Sequence, residues 1–293
     1  METFTQHLTA EQIALLPTEE DVAFYEEHGW YISKKVIPDE MIEEGILGCE
    51  KFYRGERDAV LPLSGGYCNW KPEDGDVTRN NEFISLQSKL LRKFALQPII
   101  GAIAARLART KQIRILDDQI ICKPPKSSKT TIGWHVDRAY WSTCTSDNLL
   151  TAWIPFQDCD ESLGPIAVFD GSNKWPGLGN MRSFNNPNLE EIEDKFHREG
   201  RKVLKLPMIL KKGQISFHHC WTIHGSYPNT SNVFRLAMAI HLQDEANQYR
   251  PFWNQKGEEV HIPNELLCRK LPNGNPDFSD PAIFPIVWSE SDK

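Results

Sequence analysis

Thr130-Thr131-Ile132-Gly133-Trp134-His135-Val136-Asp137 lies between an apolar run that ends near Lys123 and another that starts near Leu149. At an extended strand end, residues i and i+2 point the same way, so His135 and Asp137 are able to reach one metal ion. A second histidine, His224, follows in Trp221-Thr222-Ile223-His224-Gly225-Ser226, and Arg235 comes soon after it. Two histidines and one carboxylate are the ligand set of a facial triad, which binds Fe(II) and leaves positions open for oxygen and substrate. A guanidinium adds a planar fork that grips a carboxylate through two parallel hydrogen bonds. The stretch Phe234-Arg235-Leu236-Ala237-Met238-Ala239-Ile240 is otherwise almost wholly apolar. A guanidinium buried there needs an anionic partner, and a bound dicarboxylate supplies one. His218 and His219, just upstream of His224, compete with it as metal candidates.

Outward from this segment the texture divides in two. Before residue 110 the chain reads as helix: Thr18 caps an acidic first turn and Gly29 stops it, and a short strand over 31–36 leads through Pro38 into a helix to about Arg54. Residues 55–80 read as loop, and two helices follow over about 86–96 and 98–109. After Lys111 come short apolar runs at 113–123, 149–157, 166–169, 203–206, 214–217 and 234–243, separated by Gly, Pro, Asn and Ser. Repeated short strands with turn signals indicate a sandwich or barrel. The expected fold is mainly β with flanking helices: a double-stranded β-helix (jelly roll, cupin-like) core buttressed by N-terminal helices. One domain is expected over 1–293, with a mostly helical buttress over 1–110, a jelly-roll core over 111–245 and a C-terminal extension over 246–293. The polar stretch 171–200 reads as an insertion that covers the site as a lid, and the last fifteen residues read as an extended tail.

Composition sets the class. Of the residues 40% are hydrophobic and 25% charged, ordinary for a globular protein with a sizeable core. The net charge of −7 argues against nucleic acid, which needs a clustered basic surface. No apolar run is long enough to span a bilayer. Seven cysteines, an odd number without a C-x-x-C pair, fit free thiols in a reducing compartment. Met1 to Gln6 lack the charged and apolar regions of a secretory signal, and the chain ends Ser289-Glu290-Ser291-Asp292-Lys293 rather than in a peroxisomal Ser-Lys-Leu. A cytoplasmic enzyme is expected.

The residues around the candidate ligands resemble the phytanoyl-CoA dioxygenase family of Fe(II)/2-oxoglutarate-dependent oxygenases, from about Phe24 to Asp244. The likeness is carried by Lys123-Pro124-Pro125, His135-Val136-Asp137, Trp153, Leu163-Gly164-Pro165, Gly171-Ser172 and Gly213-Gln214. It continues through Phe217-His218-His219, then His224-Gly225-Ser226 with Asn229 and Arg235, and includes the opening Tyr25-Glu26-Glu27-His28-Gly29-Trp30. The resemblance implies that His135, Asp137 and His224 bind iron and that Arg235 holds the far carboxylate of 2-oxoglutarate. It places Trp153, Ser226 and Gln119 around that cosubstrate, and makes His219 a supporting or structural residue. Asn173 departs from the histidine usual in the Gly-Ser-His turn. Cofactors so implied are Fe(II), 2-oxoglutarate and O2. A carboxylate at 137 fills the place where related halogenases have a small residue, so hydroxylation is the default outcome.

Bland readings stand beside these. Trp153 also fits an ordinary core tryptophan, Ser226 the start of a turn, and Lys123-Pro124-Pro125-Lys126 with Lys129 a solvated turn rather than an anion site. Arg138, Tyr140 and Trp141 follow the ligands and are candidates for a small-molecule substrate pocket, against simple packing at the barrel mouth. Other functions weighed are an acyl-CoA or amino-acid hydroxylase of the same chemistry, a zinc hydrolase, and a non-catalytic metal-binding β-barrel. A zinc hydrolase has no use for Arg235, and the chain has no H-E-x-x-H helix.

Overall fold

A computed structural model of the protein describes residues 8–290. Met1 to Gln6 and the final Ser291-Asp292-Lys293, on which the targeting expectations rest, lie outside the described residues. Seven α-helices are described, α1 (Ala10–Ile13), α2 (Glu19–His28), α3 (Asp39–Tyr53), α4 (Lys89–Ala95), α5 (Pro98–Leu107), α6 (Leu189–Arg198) and α7 (Pro263–Leu267). The strands are β1 (Trp30–Ile32), β2 (Arg79–Glu82), β3 (Gln112–Lys123), β4 (Ile132–His135), β5 (Leu150–Pro155) and β6 (Ile166–Phe169). They continue with β7 (Lys205–Pro207), β8 (Ser216–His219), β9 (His224–Ser226), β10 (Arg235–Asp244) and β11 (Ile286–Ser289).

The strands form two antiparallel sheets, as expected for a jelly roll. The larger has the order β1-β8-β5-β10-β3-β11, with β2 sharing the outer edge of β3; the smaller has the order β4-β9-β6-β7. Period-2 alternation assigns the faces of the larger sheet. Leu150, Ala152, Ile154, Phe217, Met238, Ile240 and Leu242 pack under α2, α3, α4 and α5 in the main core. The intervening residues, among them Thr151, Trp153, His218, Ala237, Ala239 and His241, face the smaller sheet.

Local signals place the first helices. Thr18 accepts from the Asp21 amide while the Asp21 carboxylate accepts from the Thr18 amide, a capping box, and Gly29 closes α2 at φ 78°. The Gly29 carbonyl accepts from the Thr222 hydroxyl and the His219 amide. The end of α2 is thus tied to the turn that delivers His224.

In β3 the pairing with β10 shifts at His241/Leu242, so that Leu116 is an extra residue, a β-bulge. Before the bulge Ile113 and Ile115 face the helices; after it Ile120 does, and Asp117, Gln119 and Ile121 face the cavity. The Leu116 carbonyl, taken out of the ladder, accepts from the Asn264 side-chain amide at 2.7 Å, and Gln243 donates to the Ile115 carbonyl at 3.3 Å.

Two expectations are corrected. Residues 279–290 are not the expected tail: β11 pairs with β3, and Phe284, with Phe278 just before the segment, joins Leu116, Trp141 and Leu149 in a third core cluster. The stretch 171–200 is not purely a cover: Leu189 and Phe196 of α6 are buried with Trp134 and Phe169 on the outer side of the smaller sheet. Only its middle part, Arg182, Phe184 and Asn185, reaches the cavity.

Candidate metal centre and cosubstrate site

His135 ends β4, His224 begins β9, and the two are register partners in the smaller sheet. Asp137 follows on the extended Val136 (φ −119°, ψ 136°) and opens a 3-10 turn, which keeps it on the side of His135. Gly133 makes room for this arrangement. A Cβ there would stand 1.9 Å from the Ser183 carbonyl, so only glycine lets the 183–186 segment lie along β4. Trp134, between Gly133 and His135, points the opposite way into the Phe169 cluster and donates to Glu193.

The ligand atoms of His135, Asp137 and His224 lie within 4.8 Å of one another, and all three residues are buried. Nδ1 of His135 bonds the Gly133 carbonyl at 2.8 Å and Nδ1 of His224 the Thr222 carbonyl at 3.0 Å. A carbonyl only accepts, so each Nδ1 carries a proton and each Nε2 is left to face Asp137 Oδ1, at 3.7 and 3.4 Å; against the effect of burial, Asp137 raises the His224 imidazole. Burial lowers the His135 imidazole to about 3, helped by the neighbouring His224 ring. A neutral imidazole is the form that binds metal.

Asp137 has a second set of partners. Thr151 donates to its Oδ2 at 2.6 Å, His218 Nε2 lies 3.3 Å away, and His241 Nδ1 bonds Thr151 at 2.8 Å. Burial alone raises this carboxyl; the facing His224, His218 and His241 outweigh it and hold it well below the usual range. Thr151, His218 and His241 form one row across the larger sheet. His218, weighed above as a competing ligand, meets Asp137 at Oδ2, whereas His135 and His224 face Oδ1, and its ring packs 4.1 Å from that of His224. His219 instead accepts from the Trp221 amide, a structural contact in the β8–β9 turn.

Arg235 opens β10 opposite Lys123 and is fully buried. None of its three guanidinium nitrogens has a hydrogen-bond partner, and its carbon lies 5.5 Å from the Trp153 ring centre. Trp153 Nε1 and the Ser216 hydroxyl, register neighbours, are likewise buried without partners. Buried donors left unpaired are costly, so this set fits a missing anion with several acceptor oxygens. Lys123, expected in a solvated turn, is fully buried and donates to the Ser226 hydroxyl and the Tyr227 carbonyl at 2.5 and 2.6 Å. Burial, then the charge of Arg235, pushes its ammonium well below the ordinary value.

The cavity over the centre has a volume of about 430 Å3. Tyr140, Trp141, Trp153 and Gln119 line it together with His135, Asp137 and His224. Gln119 donates to Glu82. Ser226 meets Lys123 behind the wall. Arg138 is placed elsewhere: its guanidinium is spent on Asp147 and on the carbonyls of Trp141 and Cys144. Glu82, Asp117 and His241 went unnoticed as site residues because long-range strand pairing, not a local motif, brings them here.

With this geometry in view, the family model for phytanoyl-CoA dioxygenase (PhyH) matches residues 25–237. The chain belongs to the PhyH family. Membership carries the enzyme class, an oxidoreductase dependent on Fe(II) and 2-oxoglutarate that uses O2. The human peroxisomal phytanoyl-CoA dioxygenase is 27% identical over 241 residues, which are 77% of this chain and 68% of that protein. A probable alpha-ketoglutarate-dependent hypophosphite dioxygenase of Stutzerimonas stutzeri is 29% identical over 138 residues, covering 44% of this chain and 45% of that one. Among solved structures, the non-haem alpha-ketoglutarate-dependent carbocyclase SnoK from nogalamycin biosynthesis superposes with a TM-score of 0.69 at 23% identity, covering 92% and 96% of the two chains. The epimerase SnoN, in complex with Fe3+, alpha-ketoglutarate and nogalamycin RO, gives 0.66 at 21% identity and covers 94% and 99%. At these identities the solved structures establish the shared fold.

Proposed function

We propose that this PhyH-family oxygenase oxidises, by default hydroxylates, a C–H bond of a compact small molecule, a secondary-metabolite intermediate, with 2-oxoglutarate converted to succinate and CO2. The observation that carries the reading is the pairing of two incomplete sites: a three-ligand cluster with both imidazoles turned inward, and a buried Arg235 with three unpartnered nitrogens. His135, Asp137 and His224 would hold the iron, which supplies oxygen activation when bound. Arg235, with Trp153 and Ser216 beside it, would fix the distal carboxylate of the cosubstrate and so orient its other end. Thr151, with His218 and His241, keeps the Asp137 carboxylate ionised and aimed.

The aromatic-lined cavity of about 430 Å3 suits a compact substrate better than an extended acyl-CoA. Phe184 and Arg182 at its rim support the reading of the middle of 171–200 as a cover. Among the described residues no helix is long and apolar enough to cross a membrane. The seven unpaired cysteines favour a reducing, cytoplasmic setting.

The test is anaerobic addition of Fe(II) and then 2-oxoglutarate to metal-free protein. A weak visible charge-transfer band is expected in the wild type and not in Asp137→Ala. Absence of the band in the wild type, together with tight zinc binding, would move the reading to a hydrolytic centre.

A further inference from the structure

The bulge at Leu116 turns Asp117 and Gln119 into the cavity, and the pairing of β2 with β3 sets Asn80 and Glu82 beside them on the same face. Two carboxylates therefore stand in the wall of the cavity that holds the candidate metal ligands. Both are held in place by neutral donors. Glu82 accepts from the Cys68 amide at 2.7 Å and from Gln119 Nε2 at 3.2 Å, and Asp117 accepts from the Asp118 amide at 2.6 Å. Among the described residues neither forms an ion pair, and no lysine or arginine ranks among the leading influences on either.

Arg182 alone among the cavity-lining residues is a lysine or arginine. It enters from the segment along the smaller sheet, is exposed, and lies over the Tyr140 ring at 5.1 Å. His261, at the rim, is held by Glu265. An independent observation points the same way. Asn80 is nine-tenths buried in this wall, and its Oδ1 is an acceptor with no donor. A wall of acceptors calls for a ligand that brings donors and positive charge.

We propose that Asp117, Glu82 and Asn80 form a subsite for a cationic group, an amine or guanidinium, on the substrate oxidised at the neighbouring centre. The proposal rests on the oxygenase reading above and adds the substrate's chemical class. An organic cation is favoured over a second metal ion: among the described residues the one cluster of three ligating side chains is His135, Asp137 and His224. Burial, then the charges of Glu82 and Asp118, push the Asp117 carboxyl well up, so a cation placed here relieves a repulsion already built into the fold. The two charged anchors are then segregated, with Arg235 for the cosubstrate behind Trp153 and the carboxylates for the substrate on the β2–β3 side.

The experiment uses three probes of one shape, hexylammonium, hexanol and hexanoate, titrated anaerobically into protein loaded with Fe(II) and 2-oxoglutarate. Quenching of cavity tryptophans, Trp141 and Trp153, reports binding. Hexylammonium is expected to bind at least about tenfold more tightly than hexanol, the scale of one charge-assisted hydrogen bond, with hexanoate weakest. Glu82→Gln and Asp117→Asn remove the charge at nearly constant shape, each exchanging one acceptor oxygen for an amide donor; Asp117→Asn keeps an oxygen for the Asp118 amide, and a thermal melt checks that each variant folds. Each should cancel most of the preference for ammonium while leaving hexanol binding unchanged. The proposal is overturned if hexylammonium does not bind, if it binds no better than hexanol, or if the preference survives in the double variant. The charge-transfer band of the same samples separates the two readings: its loss in the wild type removes the oxygenase reading, whereas a normal band without ammonium preference removes only this subsite.

Discussion

Arg235→Met is expected to make the ligand-free protein more stable and unable to hold 2-oxoglutarate. The guanidinium is fully buried with all three nitrogens unpaired, and burial pushes it below its ordinary value. Replacing such a charge with an apolar side chain of similar reach removes a desolvation cost, a gain of about 1–4 kcal/mol by comparison with other buried ions. At this chain length that corresponds to a rise of about 2–8 °C in Tm. Binding moves the other way. Two charge-assisted hydrogen bonds to a carboxylate, at about 1.5–3 kcal/mol each, make the loss about 3–6 kcal/mol, or roughly a hundredfold or more in Kd. Differential scanning fluorimetry reads both effects on one plate. Cosubstrate at a hundred times its Kd should stabilise the iron-loaded wild type by about 2.7 kcal/mol and leave the variant unmoved. A variant that is destabilised like a core truncation, yet still shifted by 2-oxoglutarate, would refute both halves of this reasoning.

Three further outcomes are expected. Chelating the metal should lower Tm, by about 2.7 kcal/mol relative to protein held at a hundred times the metal Kd, and Asp137→Ala should show no such response in the same melt. Asn264→Ala should cost about 1–3 kcal/mol in urea unfolding, because the buried Leu116 carbonyl loses its donor; an unchanged midpoint would mean the bulge is satisfied some other way. Thiol titration of the native protein with a disulfide reagent should modify Cys68 alone, slowly, since burial and Glu82 push its thiol up to about 12, and all seven cysteines only after unfolding. Rapid reaction of a second thiol would contradict the packing described here.

His135 and Asp137 were legible in the sequence through their i, i+2 spacing on extended chain and Arg235 through a charge in an apolar strand, whereas His224 was singled out from His218 and His219 only by the family resemblance of its surroundings. The strands 113–123, 166–169 and 234–243 were legible as short apolar runs bounded by turn residues. The short strands β4 and β9 are held by each other and by the 183–186 segment, and their composition alone does not announce them. Lys123 looked solvated because prolines and lysines follow it, yet the register of β3 against β10 carries it beneath Arg235. Arg138 looked free because nothing local reveals Asp147 and two carbonyls waiting for its guanidinium. The end of the chain looked like a tail because its partner strand lies far earlier in the sequence.

The single extra residue at Leu116 makes β3 two strands in one, read in different frames. Upstream, odd-numbered positions belong to the helix interface; downstream, odd-numbered positions belong to the reaction chamber. The division is kept by counting rather than by composition. Deleting Leu116 itself would join Ile115 to Asp117, whose β10 partners Leu242 and His241 are already consecutive, and would leave both faces as they are; losing a residue downstream of it would instead absorb the bulge and turn the residues in between to the opposite face. Length downstream of the bulge is therefore a functional property in its own right, and relatives of this chain should tolerate substitution within 117–123 far more readily than insertion or loss of a residue there.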